Sequence, residues 1–368
     1  MFSMIPRIFW IGFFFLLGIF FFSNFSFLSN STTLGLDFPS DPGSLLDSHC
    51  TGFDIPVVVI ARNNPTLLRL LIQQLLECFD ARVIILDDAS DFPPMNKYLQ
   101  SLQYENRITV FRSSTPGGPH SWFSDPTHPA LLGLPRFFAY TDSDLRLNSD
   151  LPRNFLCVLA HLTQRLEVPK AGLALDLSDK DRMWPFTDFY GPHSIWSWED
   201  NFWSTSVRVP AWRGFNVNRV FSASVDTTFA VYDKGLLNCS DRSEYPSNLC
   251  FTARHSVRVS GLFTAKHRPW YPEVIMQLPD DEVSAMFFNN AGSVSNLMHR
   301  KGFFGNASEK SEANNFVAKW VASRLKFEKT DDIMTYKCSL EGYDLNVPGV
   351  TFLLKPLPSS MTFPTVWR

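Results

Sequence analysis

Apolar positions along the chain follow two rhythms, short β-branched runs and stretches in which leucine recurs every three or four residues. Residues 55–60, Ile-Pro-Val-Val-Val-Ile, form the continuous apolar run expected of a strand buried on both faces. Asn64-Pro65 follows, with asparagine in the cap position and proline at the first helical one. Leu67, Leu68, Leu71, Ile72, Leu75 and Leu76 then recur at helical spacing and predict an amphipathic helix. Further strands are predicted at 82–86, 108–111, 137–140 and 171–175, with another within 227–232. Helices are predicted on Tyr98, Leu99 and Leu102, on Phe155, Val158, Leu159 and Leu162, and over 312–326. Strand–helix–strand alternation at this spacing implies an α/β fold, a mostly parallel sheet flanked by helices.

One stretch has neither rhythm. Residues 8–28 are almost uninterruptedly apolar, and about 20 such residues can cross a bilayer as a helix. Arg7 precedes them, Asp37, Asp41 and Asp47 follow, and no further Lys or Arg occurs before Arg62. The positive-inside rule then places the N-terminus in the cytosol and the body across the membrane. The rival reading is a cleaved signal peptide, against which stand the length of the run and the lack of a small-residue cleavage site. The expected organisation is a cytosolic tail at 1–7, a transmembrane anchor at 8–28 and a stem at 29–54. A globular domain at 55–275 and a C-terminal extension at 276–368 packed on it complete the chain. This is the layout of a single-pass type II membrane protein of the Golgi or endoplasmic reticulum, with a lumenal body.

Charge narrows the partners. Lys and Arg number 33 against 36 Asp and Glu, for a net −3, and no basic block stands out. That argues against nucleic acid as a partner. Six cysteines (Cys50, Cys78, Cys157, Cys239, Cys250, Cys338) fit a disulfide-bonded domain, with the pairing open and Cys239–Cys250 able to close a short loop. Asn30, Asn238 and Asn306 head glycosylation acceptor patterns.

The chemistry gathers at strand ends. Tyr140-Thr141-Asp142-Ser143-Asp144 closes an apolar run, and in extended backbone residues two apart point to one side. Asp142 and Asp144 can therefore converge on one hard divalent cation, Mn²⁺ or Mg²⁺. Asp87 and Asp88 end the second strand in the same way. Open α/β sheets bind ligands outside the carboxyl ends of their strands.

With these residues in place, the chain resembles glycosyltransferases of the Rossmann-like GT-A fold, close to the family-2-like group of nucleotide-sugar enzymes. The likeness covers roughly residues 55–275. It rests on Ala61-Arg62-Asn63, on Leu86-Asp87-Asp88-Ala89-Ser90 and on Tyr140–Asp144, and also on Val225–Ala230 and Ala265-Lys266-His267-Arg268-Pro269-Trp270-Tyr271. The resemblance implies that Asp87 and Asp88 meet the nucleotide base and ribose, with Ala61 and Arg62 near the base or diphosphate. It implies that Asp142 and Asp144 hold Mn²⁺ or Mg²⁺ on the donor diphosphate, Asp142 alternatively meeting the ribose. A late histidine completes such sites, and His267 is the candidate, with His255 its rival.

An inverting enzyme needs a carboxylate base. Asp226 is the first choice and Glu199-Asp200 the second. The family's usual acidic pair after a Gly-rich turn is missing, which leaves base and stereochemistry open. Trp196, Trp198 and Trp203 either stack on acceptor sugars or pack the core. Gly117-Gly118 does not match a phosphate-binding motif. The implied activity is transfer of a sugar from a UDP- or GDP-linked donor to a hydroxyl on a glycan, glycoprotein or glycolipid. The alternatives are an inactive carbohydrate-binding membrane protein and a nucleotidyltransferase of related fold.

Overall fold

The long strands of one ten-stranded sheet share a direction and finish on a common edge. The computed structural model describes residues 54–119, 121–123, 129–189, 191–207, 220–225, 227–237, 256–288, 293–325, 333–336 and 338. Its strands are β1 Val57–Ala61, β2 Val83–Asp87, β3 Ile108–Arg112, β4 Phe137–Asp142, β5 Leu145–Leu147, β6 Lys170–Leu175, β7 Ser206–Val207, β8 Val220–Ser222, β9 Ala230–Asp233 and β10 Ser256–His267. They lie in the order β3-β2-β1-β4-β9-β6-β10-β8-β7, with β5 paired to β10.

β3, β2, β1 and β4 are mutually parallel. β9 is inserted antiparallel between β4 and β6, and two reversals restore the direction, so β6 and its parallel neighbour β10 run the same way as β4. The sheet is mixed, but Ala61, Asp87, Arg112, Asp142, Leu175 and His267 all finish strands on one side. Register fixes this edge closely, with Ala61 opposite Asp87 and Ile60 opposite Asp142.

Helices cover the sheet as the leucine spacing requires. α1 (Pro65–Phe79) buries Leu67, Leu68, Leu71, Ile72 and Leu75, each such leucine contributing roughly 1.5–3 kcal/mol. α2 spans Pro93–Ser101, α3 Pro129–Leu132, α4 Phe155–Leu166 and α5 Ile195–Asp200. C-terminal to the sheet come α6 Pro272–Gln277, α7 Asp280–Phe287, α8 Ser293–Arg300 and α9 Ala307–Leu325. The expected limit of the globular domain at 275 falls inside α6. α9 begins five residues before the expected helix, capped by Asn306, whose Oδ1 accepts from the Ser308 and Glu309 amides. The strand expected within 227–232 starts at Ala230, because Thr227–Phe229 bend towards the end of β4.

Cys78, near the end of α1, is bonded to Cys338. Among the described residues no cysteine is free.

The membrane assignment requires correction. Among the described residues no helix is long and apolar enough to cross a membrane, which removes the structural support for a single-pass type II protein of the Golgi or endoplasmic reticulum. The expected anchor at 8–28 and, apart from Asp54, the expected stem at 29–54 lie outside the described residues, as do the Asn30 and Asn238 acceptor patterns and Cys50, Cys239 and Cys250.

Candidate metal centre and donor edge

β4 ends on Asp142, a two-residue turn follows, and β5 begins at Leu145. β5 pairs antiparallel with the last residues of β10, Leu145 opposite His267. This pairing brings a histidine from late in the chain to the Asp-Ser-Asp turn. Asp142, Asp144 and His267 each offer a ligand atom, and these atoms lie within 4.8 Å of one another. Nε2 of His267 is 3.5 Å from Oδ1 of Asp144. For an octahedral ion with ligands at about 2.1 Å, neighbouring ligand atoms sit roughly 3 Å apart, so only small side-chain adjustments are needed.

The chemistry of the group fits a divalent cation. Oδ1 of Asp144 and Nδ1 of His267 are buried without hydrogen-bond partners, an arrangement that is costly unless something else meets it. Two carboxylates and an imidazole form a hard, mixed O/N donor set that suits Mn²⁺. Around it, Thr227 Oγ1 donates to Asp142 Oδ2 at 2.8 Å, and the Asp142 amide bonds the Thr227 carbonyl at 3.0 Å. The loop before Thr227 is held from beneath by buried Lys170, whose ammonium donates to the Val225 carbonyl and lies 4.8 Å from the Tyr232 ring. The His267 ring leans on Trp270, with centroids 5.3 Å apart.

On the same edge the two acidic residues after β2 have separate environments. Asp87 is fully buried, and its Oδ2 accepts from Arg112 Nε at 2.8 Å. Asp88 accepts from the Gly117 and Gly118 amides at 2.8 and 3.1 Å, with Arg62 Nη1 3.7 Å away. Paired backbone amides of this sort form an anion cradle. Here a carboxylate of the protein fills it. Sequence reasoning passed over Gly117-Gly118 because the spacing matches no phosphate loop. The signal in the sequence was the Gly-Gly pair itself, since such pairs mark tight turns, and in the structure Gly118 takes a φ of +81°, which glycine adopts with least strain. Ala61 is buried at the end of β1, and Arg62 is half-buried beside it.

The remaining expected residues are dispersed. Glu199 is buried and bonded to Arg258, and burial raises its carboxyl above the ordinary glutamate value despite that cation. Asp200 is exposed. Trp196 is 38% exposed, with Lys180 Nζ 4.6 Å from its ring. Trp198 packs edge-on to Phe202, and Trp203 packs on Phe221. Asp226 and His255 lie outside the described residues.

No family model matches the chain, and no curated protein matches it either. Among solved structures it is similar to the mannosyltransferase PcManGT from Pyrobaculum calidifontis in complex with GDP-Man and Mn²⁺, at 11% identity and a TM-score of 0.36, over 75% of this chain and 76% of that one. The mannosyltransferase Ktr4p from S. cerevisiae in complex with GDP matches at 12% identity and a TM-score of 0.30, over 62% and 69% of the two chains. GalNAc-T7 with UDP, GalNAc and Mn²⁺ matches at 11% and 0.35, over 74% and 57%.

Proposed function

We propose that the chain is a divalent-cation-dependent glycosyltransferase that moves a sugar from a UDP- or GDP-linked donor to a hydroxyl of a glycan, glycoprotein or glycolipid. One observation carries this reading: Asp142, Asp144 and His267 converge at the carboxyl edge of the sheet, with Oδ1 of Asp144 buried and without a hydrogen-bond partner. That is where α/β sheets bind their ligands. A divalent ion held there would offset the charge that builds on the departing nucleoside diphosphate.

The chain's own residues supply the rest. Asp144 and His267 would hold the ion, with Asp142, oriented by Thr227, completing the group. Arg62 stands at the same edge, where its guanidinium can meet the diphosphate or base. Asp87 and Asp88 shape the wall of the donor site, Asp88 by fixing the Gly117-Gly118 loop. The acceptor oxygen attacks the anomeric carbon as the bond to the diphosphate breaks. A carboxylate takes the acceptor proton. Asp226 is the base we favour, since Glu199 is committed to Arg258. Trp196, 38% exposed with Lys180 Nζ over its ring, is the tryptophan on which an acceptor sugar can stack.

The experiment is thermal melting of the protein with a panel of UDP- and GDP-sugars, with and without Mn²⁺, in wild type and Asp144→Ala. Selective binding to the folded state raises the melting temperature. A shift that requires both nucleotide sugar and metal, and is lost in Asp144→Ala, is expected. A well-folded protein that responds to no nucleotide sugar would overturn the proposal.

A further inference from the structure

The metal group depends on the turn that presents it. Asp142 and Asp144 converge only while Ser143 keeps its place between them. Ser143 is buried, and its Oγ accepts a 2.6 Å hydrogen bond from Nδ2 of Asn64, 79 residues earlier. Asn64 is buried as well and stands at the N-cap of α1. An asparagine there ordinarily turns its oxygen onto the amides of the helix's own first turn. Asn64 makes no such bond.

Glu282 of α7 does that work instead. Its carboxylate accepts from the Thr66 amide at 2.9 Å and from Thr66 Oγ1 at 2.7 Å. Asn64 is released from the helix and committed to the turn, and its Oδ1 is left buried without a partner. A buried acceptor left unmet is a local cost. Departures from local rules of this kind concentrate where function demands a particular geometry.

We infer that Asn64 is the positioning residue of the Asp142–Asp144 turn, an inference that rests on the metal-centre reading above. Asn64 reaches the cation site only through Ser143. Partners that orient metal ligands typically carry about 10–100-fold of metal affinity, and that is the effect expected of Asn64.

The test titrates Mn²⁺ into the full chain and follows the spin-resonance signal of the free aquo ion, with thermal melting in parallel. Wild type should bind, and Asp144→Ala should bind on the order of 100-fold more weakly. Asn64→Ala and Ser143→Ala should each weaken Mn²⁺ binding about 10–100-fold, while Ser143→Thr, which keeps the hydroxyl, stays within a few-fold of wild type. Arg136→Ala serves as the control for stability alone. It breaks a two-point pair with buried Asp233 at the opposite edge of the sheet and should lower the melting temperature with Mn²⁺ affinity unchanged. Should Asn64→Ala not fold, Ser143→Ala, which removes a single oxygen, decides the matter.

Wild-type affinity in a folded Ser143→Ala protein would overturn the positioning role and leave the metal centre standing. Wild type that binds no Mn²⁺ would overturn both.

Discussion

Nε2 of His267 lies 3.5 Å from Oδ1 of Asp144, because β5 and the end of β10 pair with Leu145 opposite His267. Two candidate metal-binding residues far apart in sequence therefore meet at the end of one hydrogen-bonded ladder. Replacing either should damage metal binding while the sheet persists. Asp144→Ala and His267→Ala are each expected to weaken Mn²⁺ at least as much as loss of an orienting partner does, on the order of 100-fold, with little change in far-ultraviolet circular dichroism. Titration calorimetry with Mn²⁺ checks this, and full retention of binding in His267→Ala would exclude it as a ligand.

Asp88 is expected to act through the loop it holds. Asp88→Ala leaves the Gly117 and Gly118 amides without their carboxylate and should cost roughly 1–3 kcal/mol. Hydrogen exchange at those two amides should accelerate well before the global rate. Unchanged protection there would show that the cradle does not depend on Asp88.

The Cys78–Cys338 bond closes a loop with a sequence separation of 260. Removing it in Cys78→Ala/Cys338→Ala should cost about 2–5 kcal/mol. That corresponds to a fall in melting temperature on the order of 10 °C. Equal melting of wild type and the double variant would mean that the bond adds no stability.

Glu282 gives a pH dependence with a definite sign. Burial raises its carboxyl above the ordinary 4.5, although the bonds from Thr66 pull the other way. The folded state then binds the proton more tightly than the unfolded chain does. Glu282's contribution to stability is complete below the ordinary value and is lost as pH rises through the raised one. Glu282→Gln lacks this slope. Urea midpoints measured from pH 4 to 8 should show wild type losing ground to Glu282→Gln as pH rises above 4.5, and the opposite trend would contradict the assignment.

Most strands that announced themselves in the sequence are buried on both faces, while β3, also expected, is partly exposed. β1 and β2 are unbroken apolar runs, and both lie inside the sheet. β10 gave no such signal. Its register shifts between Val259 and Thr264, where Gly261 takes a φ of +74°, and its buried face includes Ser256, Arg258 and Ser260. The acidic pairs were visible as residue types at strand ends. What engages them was not, because Arg112, Gly117-Gly118 and Thr227 reach them across the fold. A two-residue period can say that Asp142 and Asp144 share a side; it cannot say that Ser143 between them is tethered to the head of α1. The tryptophans posed the same difficulty, since Trp196 and Trp198 are two residues apart yet differ in exposure.

The C-terminal segment that carries Cys338 also carries Ile333, whose carbonyl accepts from Arg268 Nε, while another Arg268 nitrogen bonds the Leu145 carbonyl. Arg268 directly follows His267, and Leu145 directly follows Asp144. During synthesis, then, the edge that gathers the metal ligands cannot be fully braced until residue 333 has left the ribosome. Ile333 thus braces an edge whose first elements, β1 and α1, were made some 270 residues earlier. A nascent chain arrested before residue 333 would carry Asp142, Asp144 and His267 without the brace that Arg268 makes to Ile333.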